Sequence, residues 1–178
     1  MRTDKQLVND IMKGDGIAMR ELYDRYSGYA MAVCRRYIPD MDDVKDVMQE
    51  SFVKVFSSLS RYEYRGEGSL KSWISRIVSN EALDHMRRNG RVSFVEMIPD
   101  LPDEPEPDIE DISDETLTAL IARLPAGYRM VLNMYVFEQL SHKEIAARLG
   151  ISPATSASQY FHAKKMLAKM INDYKKHN

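Results

Sequence analysis

The sequence of 178 residues holds a single cysteine, Cys34. One thiol cannot form an intramolecular disulfide, and it leaves no set of cysteines for a zinc site. A lone cysteine suits a reducing cytoplasm. Long hydrophobic runs are missing as well. The first residues, "MRTDKQLVND", carry charges at Arg2, Asp4, Lys5 and Asp10 and no apolar core of signal-peptide length, and nothing further along approaches a membrane span. The expectation is a soluble, cytoplasmic protein with no stable membrane insertion.

Catalytic groupings are also absent. No Ser/His/Asp or Cys/His arrangement is suggested by spacing. "RGEGSLKS" has the wrong spacing for a phosphate loop, and no Lys directly follows Gly68. His142 and His162 have no Cys or carboxylate at ligand spacing, so they are expected to be solvated or to face a partner. Asp40 to Asp46 have a sufficient role as charges at a helix N-terminus. No enzyme activity, cofactor or metal is expected.

The last absence is of one sign of charge. "PDLPDEPEPDIEDISDE", residues 99–115, has nine acidic residues and four prolines but no Lys or Arg. Residues 1–92 hold 16 basic and 14 acidic side chains, residues 93–116 hold 0 and 10, and residues 117–178 hold 9 and 3, giving +2, −10 and +6. The overall charge of −2 therefore averages two cationic modules with an anionic connector. The expected organisation is a helical domain over 1–92, an acidic Pro-rich linker over 93–116 and a second helical domain over 117–178.

What remains reads as all-α. Thr3 with Gln6 predicts a capping box for a first helix ending near Gly14. Leu22 to Tyr37 predicts a second, stopped by Pro39. A third starts among Asp40, Asp42 and Asp43 and runs to Phe56. Ser69 is expected to cap a fourth, with Leu70, Trp73, Ile74, Ile77, Val78, Leu83 and Met86 buried, which completes a three- or four-helix bundle. In the second half, Leu117 to Leu124 is a helix and another opens at about Ala126. Ser141 and Glu144 form a capping box, Gly150 is a left-handed stop, and Ser152 with Pro153 starts a final helix. That is the composition of a helix-turn-helix within a four-helix domain.

In such a motif the second helix enters the major groove. Its inward stripe is expected to be Tyr160, Ala163, Leu167 and Met170. Its outward face is expected to offer Ala154, Ala157, Ser158, Phe161, His162 and Lys165, with small groups that permit close approach and lysines for phosphates. In the first half, Tyr62, Tyr64, Arg65, Gly66 and Gly68 sit in one loop beside a helix exposing Lys71, Arg76, Asn80, Arg87 and Arg88. Aromatics beside cations can hold an unstacked base. A core-filling tyrosine pair next to a solvated charged helix accounts for the same residues.

The order of parts decides between these readings. "DDVKDVMQESFVKVF", then "YRGEGSLKSWISRIVSNEALDHMRR", an acidic linker and "LPAGYRMVLNMYVFEQLSHKEIAARLGIS" closely resemble an extracytoplasmic-function sigma factor of bacterial RNA polymerase, over nearly the whole length. The resemblance implies that Asp46, Gln49, Glu50 and Lys54 dock on the core polymerase. It implies that the loop Tyr64, Arg65, Gly66, Glu67 and Ser69 captures a flipped base of the −10 element, with Lys71, Arg76, Asn80, Arg87 and Arg88 on upstream DNA and the opened strand. It places Ala154, Thr155, Ala157, Ser158, Phe161, His162 and Lys165 at the −35 element. RNA polymerase core enzyme and promoter DNA are the implied partners, and an anti-sigma factor is a further one. The acidic linker is then a disordered nucleic-acid mimic for the polymerase's cationic channels. Where such proteins usually open the recognition helix with Thr-Val-(Lys/Arg)-Ser-Arg, this chain has Thr155-Ser156-Ala157-Ser158-Gln159, and His162 stands where Arg is common. With fewer cations near the bases, strong guanine readout is not expected of this helix. A dimeric DNA-binding regulator and an all-helical adaptor are the rival readings, and stable association with core polymerase separates them from a sigma factor.

Overall fold

Most of the helices start where the sequence supplies a cap. The computed structural model describes residues 1–94 and 105–177. Among them every regular element is helical: α1 (Asp4–Met12), α2 (Gly16–Tyr37), α3 (Met41–Ser58), a single 3-10 turn (Leu59–Arg61), α4 (Ser69–Arg88), α5 (Asp114–Ala122), α6 (Ala126–Val136), α7 (His142–Leu149) and α8 (Pro153–His177). The chain forms two compact units, Met1–His85 and Met86–Asn178.

In the first unit, Thr3 Oγ1 accepts from the Gln6 amide at 3.3 Å, while Gln6 Oε1 accepts from the Thr3 amide at 2.9 Å. The expected capping box is therefore present. Asp15 caps α2 through Ile17 and Ala18, and Asp40 caps α3 through Asp42 and Asp43. A nine-residue helix such as α1 is marginal alone. It is held by burial of Leu7 and by an ionic clamp. Arg2 pairs with Asp10 (3.1 Å), Asp15 (3.0 Å) and Glu21 (3.2 Å), and Arg25 pairs with Asp4 (3.0 Å) and Glu21 (2.8 Å). The Tyr26 hydroxyl donates to Asp4 at 2.7 Å. Burial first, and then that bond to a carboxylate, push the Tyr26 phenol well above its ordinary range. Leu22, Val33 and Tyr37 of α2, Val44, Val47 and Val55 of α3, and Leu70, Ile74 and Val78 of α4 are buried in the bundle.

Two expectations change here. Trp73 and Ile77 are half-buried rather than part of the fully buried stripe. Ser69 is the first residue of α4 and its hydroxyl turns back onto the preceding loop, so its bonds organise the loop rather than the helix amides.

In the second unit, α5 begins three residues earlier than expected. Ser113 Oγ accepts from the Thr116 amide at 3.1 Å, and Asp114 and Glu115 occupy the first turn, where their charge suits the positive helix end. The last two acidic residues of the 99–115 stretch are thus helix-starting residues. The expected flexible linker falls partly on residues 95–104, outside the described residues. Within the described part, Lys175 of α8 pairs with Asp108 at 3.1 Å and Asn172 donates to the Pro105 carbonyl at 3.3 Å.

Ser141 and Glu144 form the expected capping box of α7. Gly150 closes the helix at φ 70° and ψ 34°, the left-handed conformation in which a residue with a Cβ is strained. Ser152 Oγ then accepts from the Thr155 amide at 3.0 Å to start α8. The α8 helix packs against α5, α6 and α7 around Ile121, Leu124, Tyr128, Leu132 and Ala163, with Leu167 and Met170 partly buried against them.

Candidate nucleic-acid interface

Two surfaces, one in each unit, carry most of the residues expected to contact DNA. In the first unit, Ser69 ties the loop between the 3-10 turn and α4. Its Oγ lies 2.6 Å from the Tyr62 hydroxyl, accepts from the Arg65 amide at 3.2 Å and donates to the Gly66 carbonyl at 2.6 Å. Gly66 and Gly68 turn at φ 105° and 77°, with open space at both positions where a Cβ would stand. The glycines therefore serve backbone conformation, not close packing.

The loop borders an open cavity of about 770 Å³ lined by Tyr62 and Trp73, by Arg61, Arg65 and Arg76 and by Glu63 and Glu67, with Ser72 at its wall. Its size falls within the roughly 300–1,000 Å³ typical of small-molecule pockets. The Tyr62 and Trp73 rings meet at 5.2 Å and 51°. Two aromatic faces can stack a planar heterocycle, and Arg61 and Arg76 bring cations for a phosphate, while Arg65 is paired with Glu63 of the same wall. Sequence reasoning missed Trp73 and Arg61 as site residues, because an apolar residue at helical spacing reads as core and Arg61 precedes the glycine-bearing loop.

The other residues of this surface divide. Tyr64 is 45% exposed, and Arg65 and Glu63 form an exposed ion pair at 3.1 Å. Glu67, Lys71, Arg76 and Asn80 are exposed and Gly66 and Ser69 are half-buried, while Arg87 and Arg88, exposed at the end of α4, lie past His85 and so in the second unit. The Lys71 ammonium stands 4.2 Å from the centre of the Tyr29 ring of α2, so it already has a partner in the free chain.

On α3, Asp46, Gln49 and Glu50 are exposed as expected. Lys54 is not simply a surface cation. It makes a close ion pair with Glu81 of α4, whose side chain is only 6% exposed. A buried carboxylate needs that cation, which gives Lys54 a structural duty as well.

In the second unit, Ala154, Ala157, Ser158 and Phe161 stand on the exposed face of α8, with Phe161 55% exposed. Thr155 is half-buried, and its hydroxyl lies 2.8 Å from that of Ser152. The Lys165 ammonium lies 5.3 Å from the Phe161 ring. His162 does not belong to this face. It is 7% exposed and stacks on Tyr128 at 6.0 Å and 28°. The buried side of α8 runs through Ser156, Gln159, His162 and Ala163, so the inward stripe includes polar residues beside the expected Tyr160 and Ala163.

These surfaces coincide with stretches that match known proteins. Residues 22–92 match the family described as Sigma-70 region 2, and residues 114–167 match Sigma-70, region 4. The chain is 29% identical to the RNA polymerase sigma-H factor of Pseudomonas aeruginosa, over 94% of this chain and 93% of that protein. It is 31% identical to the ECF RNA polymerase sigma-E factor of Salmonella typhimurium, over 95% of this chain and 94% of that protein. The solved structure of the sigma factor RpoE in complex with the anti-sigma factor NepR, from Bartonella quintana, shares the fold with a TM-score of 0.55 at 20% identity, over 86% of this chain and 96% of that one.

Proposed function

The chain belongs to the extracytoplasmic-function sigma factors of the sigma-70 family, and we propose that its two units divide promoter recognition through the surfaces described above. As a sigma factor it directs RNA polymerase to promoters and initiates transcription there. Among the described residues no helix is long and apolar enough to cross a membrane. The protein works in the cytoplasm, where the polymerase is, and it binds and melts DNA without catalysing a reaction of its own.

The first unit takes the −10 element. The observation that carries this is the cavity of about 770 Å³ beneath a loop tied by Ser69, with Tyr62, Trp73 and three arginines around it. A base leaving the stack would find ring faces there, while Tyr64, Arg65, Gly66, Glu67 and Ser69 form its rim. Lys71, Arg76 and Asn80, with Arg87 and Arg88 from the end of α4 past the first unit, hold backbone of the upstream duplex and the opened strand. Asp46, Gln49 and Glu50 dock on the core polymerase, and Lys54 contributes from its pair with Glu81.

The second unit takes the −35 element through Ala154, Thr155, Ala157, Ser158, Phe161 and Lys165. His162 is left out because its ring lies inside the unit. Small groups on this face allow close approach, and Phe161 suits thymine methyls. The stretch 99–115, apart from the helix-starting Asp114 and Glu115, serves as a polyanion for the polymerase's cationic channels, and Asp108 would exchange its pair with Lys175 for cations there. RpoE of Bartonella quintana is solved in complex with an anti-sigma factor, and a partner of that class is part of the same reading for this chain.

The test uses holoenzyme on a promoter bearing 2-aminopurine at successive −10 positions. Ser69→Ala, which unties the loop, should abolish the fluorescence rise at one position while leaving core binding intact. A full rise from the Ser69→Ala holoenzyme would refute the loop's role in base capture. Charge neutralisation of the acidic residues in 100–111, which spares the Ser113 cap, should raise the DNA affinity of the free chain and impair initiation.

A further inference from the structure

Recognition by α8 requires the helix to be held at one rotation and one angle, and a single imidazole sits where that can be done. His142 is the first residue of α7 and is half-buried. Its ring stacks on Tyr135 of α6, with centroids 4.6 Å apart and planes within 16°. Tyr135 in turn meets Tyr160 of α8 at 4.3 Å, and His142 lies 5.9 Å from the same Tyr160. At the ring's other side, His142 Nδ1 and Ser156 Oγ are hydrogen-bonded at 3.0 Å. Ser156 has no exposed surface, and the next two residues, Ala157 and Ser158, stand on the exposed face.

We propose that His142 is a positioning residue for −35 recognition, joining α6 through its ring face and the first turn of α8 through Nδ1, so that it sets the rotation at which Ala157 and Ser158 meet the groove. The proposal rests on the reading of the second unit as the −35 binder. Apolar contacts between helices are non-directional and tolerate small slides, whereas a hydrogen bond, here partly buried, weakens steeply with angle. Only a side chain with both a flat ring and a polar atom at this point satisfies both sides. Phenylalanine would keep the stack and lose the bond. Asparagine would keep a polar atom and lose the stack. Ser156, at the other end of the bond, is inside the unit and acts on DNA only through its neighbours.

The test is transcription by holoenzyme from a promoter library randomised at −35, read as the preference for the best sequences over the median. Five full-length variants are compared: His142→Phe, Ser156→Ala, both together, His142→Asn, and Ser158→Arg as a probe of the reading face. His142→Phe and Ser156→Ala should each blunt the preference about threefold to tenfold, the weight of one net hydrogen bond. The double variant should be no worse than either single one, because both remove the same bond. His142→Asn should recover part of the loss seen with His142→Phe, and core-polymerase binding should be unchanged throughout. A merely structural histidine would instead lower the use of all −35 promoters alike, without changing preference, and that result overturns the proposal. So does an unaltered preference in both single variants while Ser158→Arg changes it, which leaves the reading face intact. Should Ser158→Arg change nothing, the reading face is misassigned and the proposal falls with it. If His142→Phe fails to fold, Ser156→Ala against His142→Asn carries the comparison.

Discussion

Replacing Arg129 by Met isolates one buried charge in the second unit. Arg129 is 4% exposed, and its Nη1 donates to the carbonyls of Ala122 at 2.9 Å and Leu124 at 2.7 Å. These acceptors belong to the end of α5 and the corner before α6, where a helix leaves carbonyls without amide partners. Burial pulls the guanidinium below its ordinary pKa range, yet an arginine stays charged near neutrality. Hydrogen bonds to a charged group are worth roughly 1.5–3 kcal/mol each. Methionine returns part of that by removing the desolvated charge. A net loss of about 2–4 kcal/mol follows, and at about 4–8 °C per kcal/mol for a unit of this size the melting point should drop by roughly 8–32 °C. The chain provides its own reporter, since Trp73 is the only tryptophan and lies in the first unit. Thermal unfolding followed by far-UV circular dichroism should show an early transition, while Trp73 fluorescence keeps its midpoint. An unmoved dichroism curve would show that the carbonyls find other donors. A shift of the Trp73 transition by the same amount would show that the loss is not confined to the unit that holds Arg129.

Other perturbations separate structural from recognition roles. Lys54→Ala leaves the Glu81 carboxylate buried without its cation and should destabilise the first unit by roughly 1–2 kcal/mol, discounted because Lys54 itself is 57% exposed, as read by Trp73 fluorescence in urea. Gln49→Ala with Glu50→Lys should weaken pull-down of core polymerase with an unchanged dichroism spectrum, and an unchanged pull-down from the folded variant would refute docking through α3. Burial pushes the Cys34 thiol up from 9.0 to about 12, so the folded state keeps its proton where the unfolded chain loses it. Its contribution to stability is whole below about pH 9 and should be lost as pH rises from there to about 12. At pH 8 a thiol reagent should label Cys34 only at the rate of unfolding, and prompt labelling of the native chain would contradict its burial.

Local chemistry made the helices legible. Thr3 with Gln6, Ser141 with Glu144, Gly150 and Ser152 with Pro153 act on backbone groups a few residues away, so their roles can be read without the fold. Rotation about a helix axis was harder. Ser156, Gln159 and His162 are polar yet face inward, and a pattern built on apolar residues cannot place them. Arg129 counted towards the cationic surface although it is buried, and Lys54 counted as a docking cation although Glu81 already holds it. Asp114 and Glu115 read as linker because they continue an acidic run, and only the Ser113 cap marks them as helix. The cavity of the first unit depends on Trp73 leaving the core stripe, a tertiary choice that no spacing reveals.

The central claim is that this chain confers promoter choice on RNA polymerase through two separate surfaces. Run-off transcription over genomic fragments by core polymerase, with and without the chain and with transcript 5′ ends mapped, tests it most directly. New starts should appear only with the chain, downstream of a shared pair of −35 and −10 sequences. Ser158→Arg should then change the −35 sequences used while Ser69→Ala abolishes the starts without releasing the chain from the enzyme. Identical 5′ ends with and without the chain, or a single variant that alters both elements together, would contradict the account.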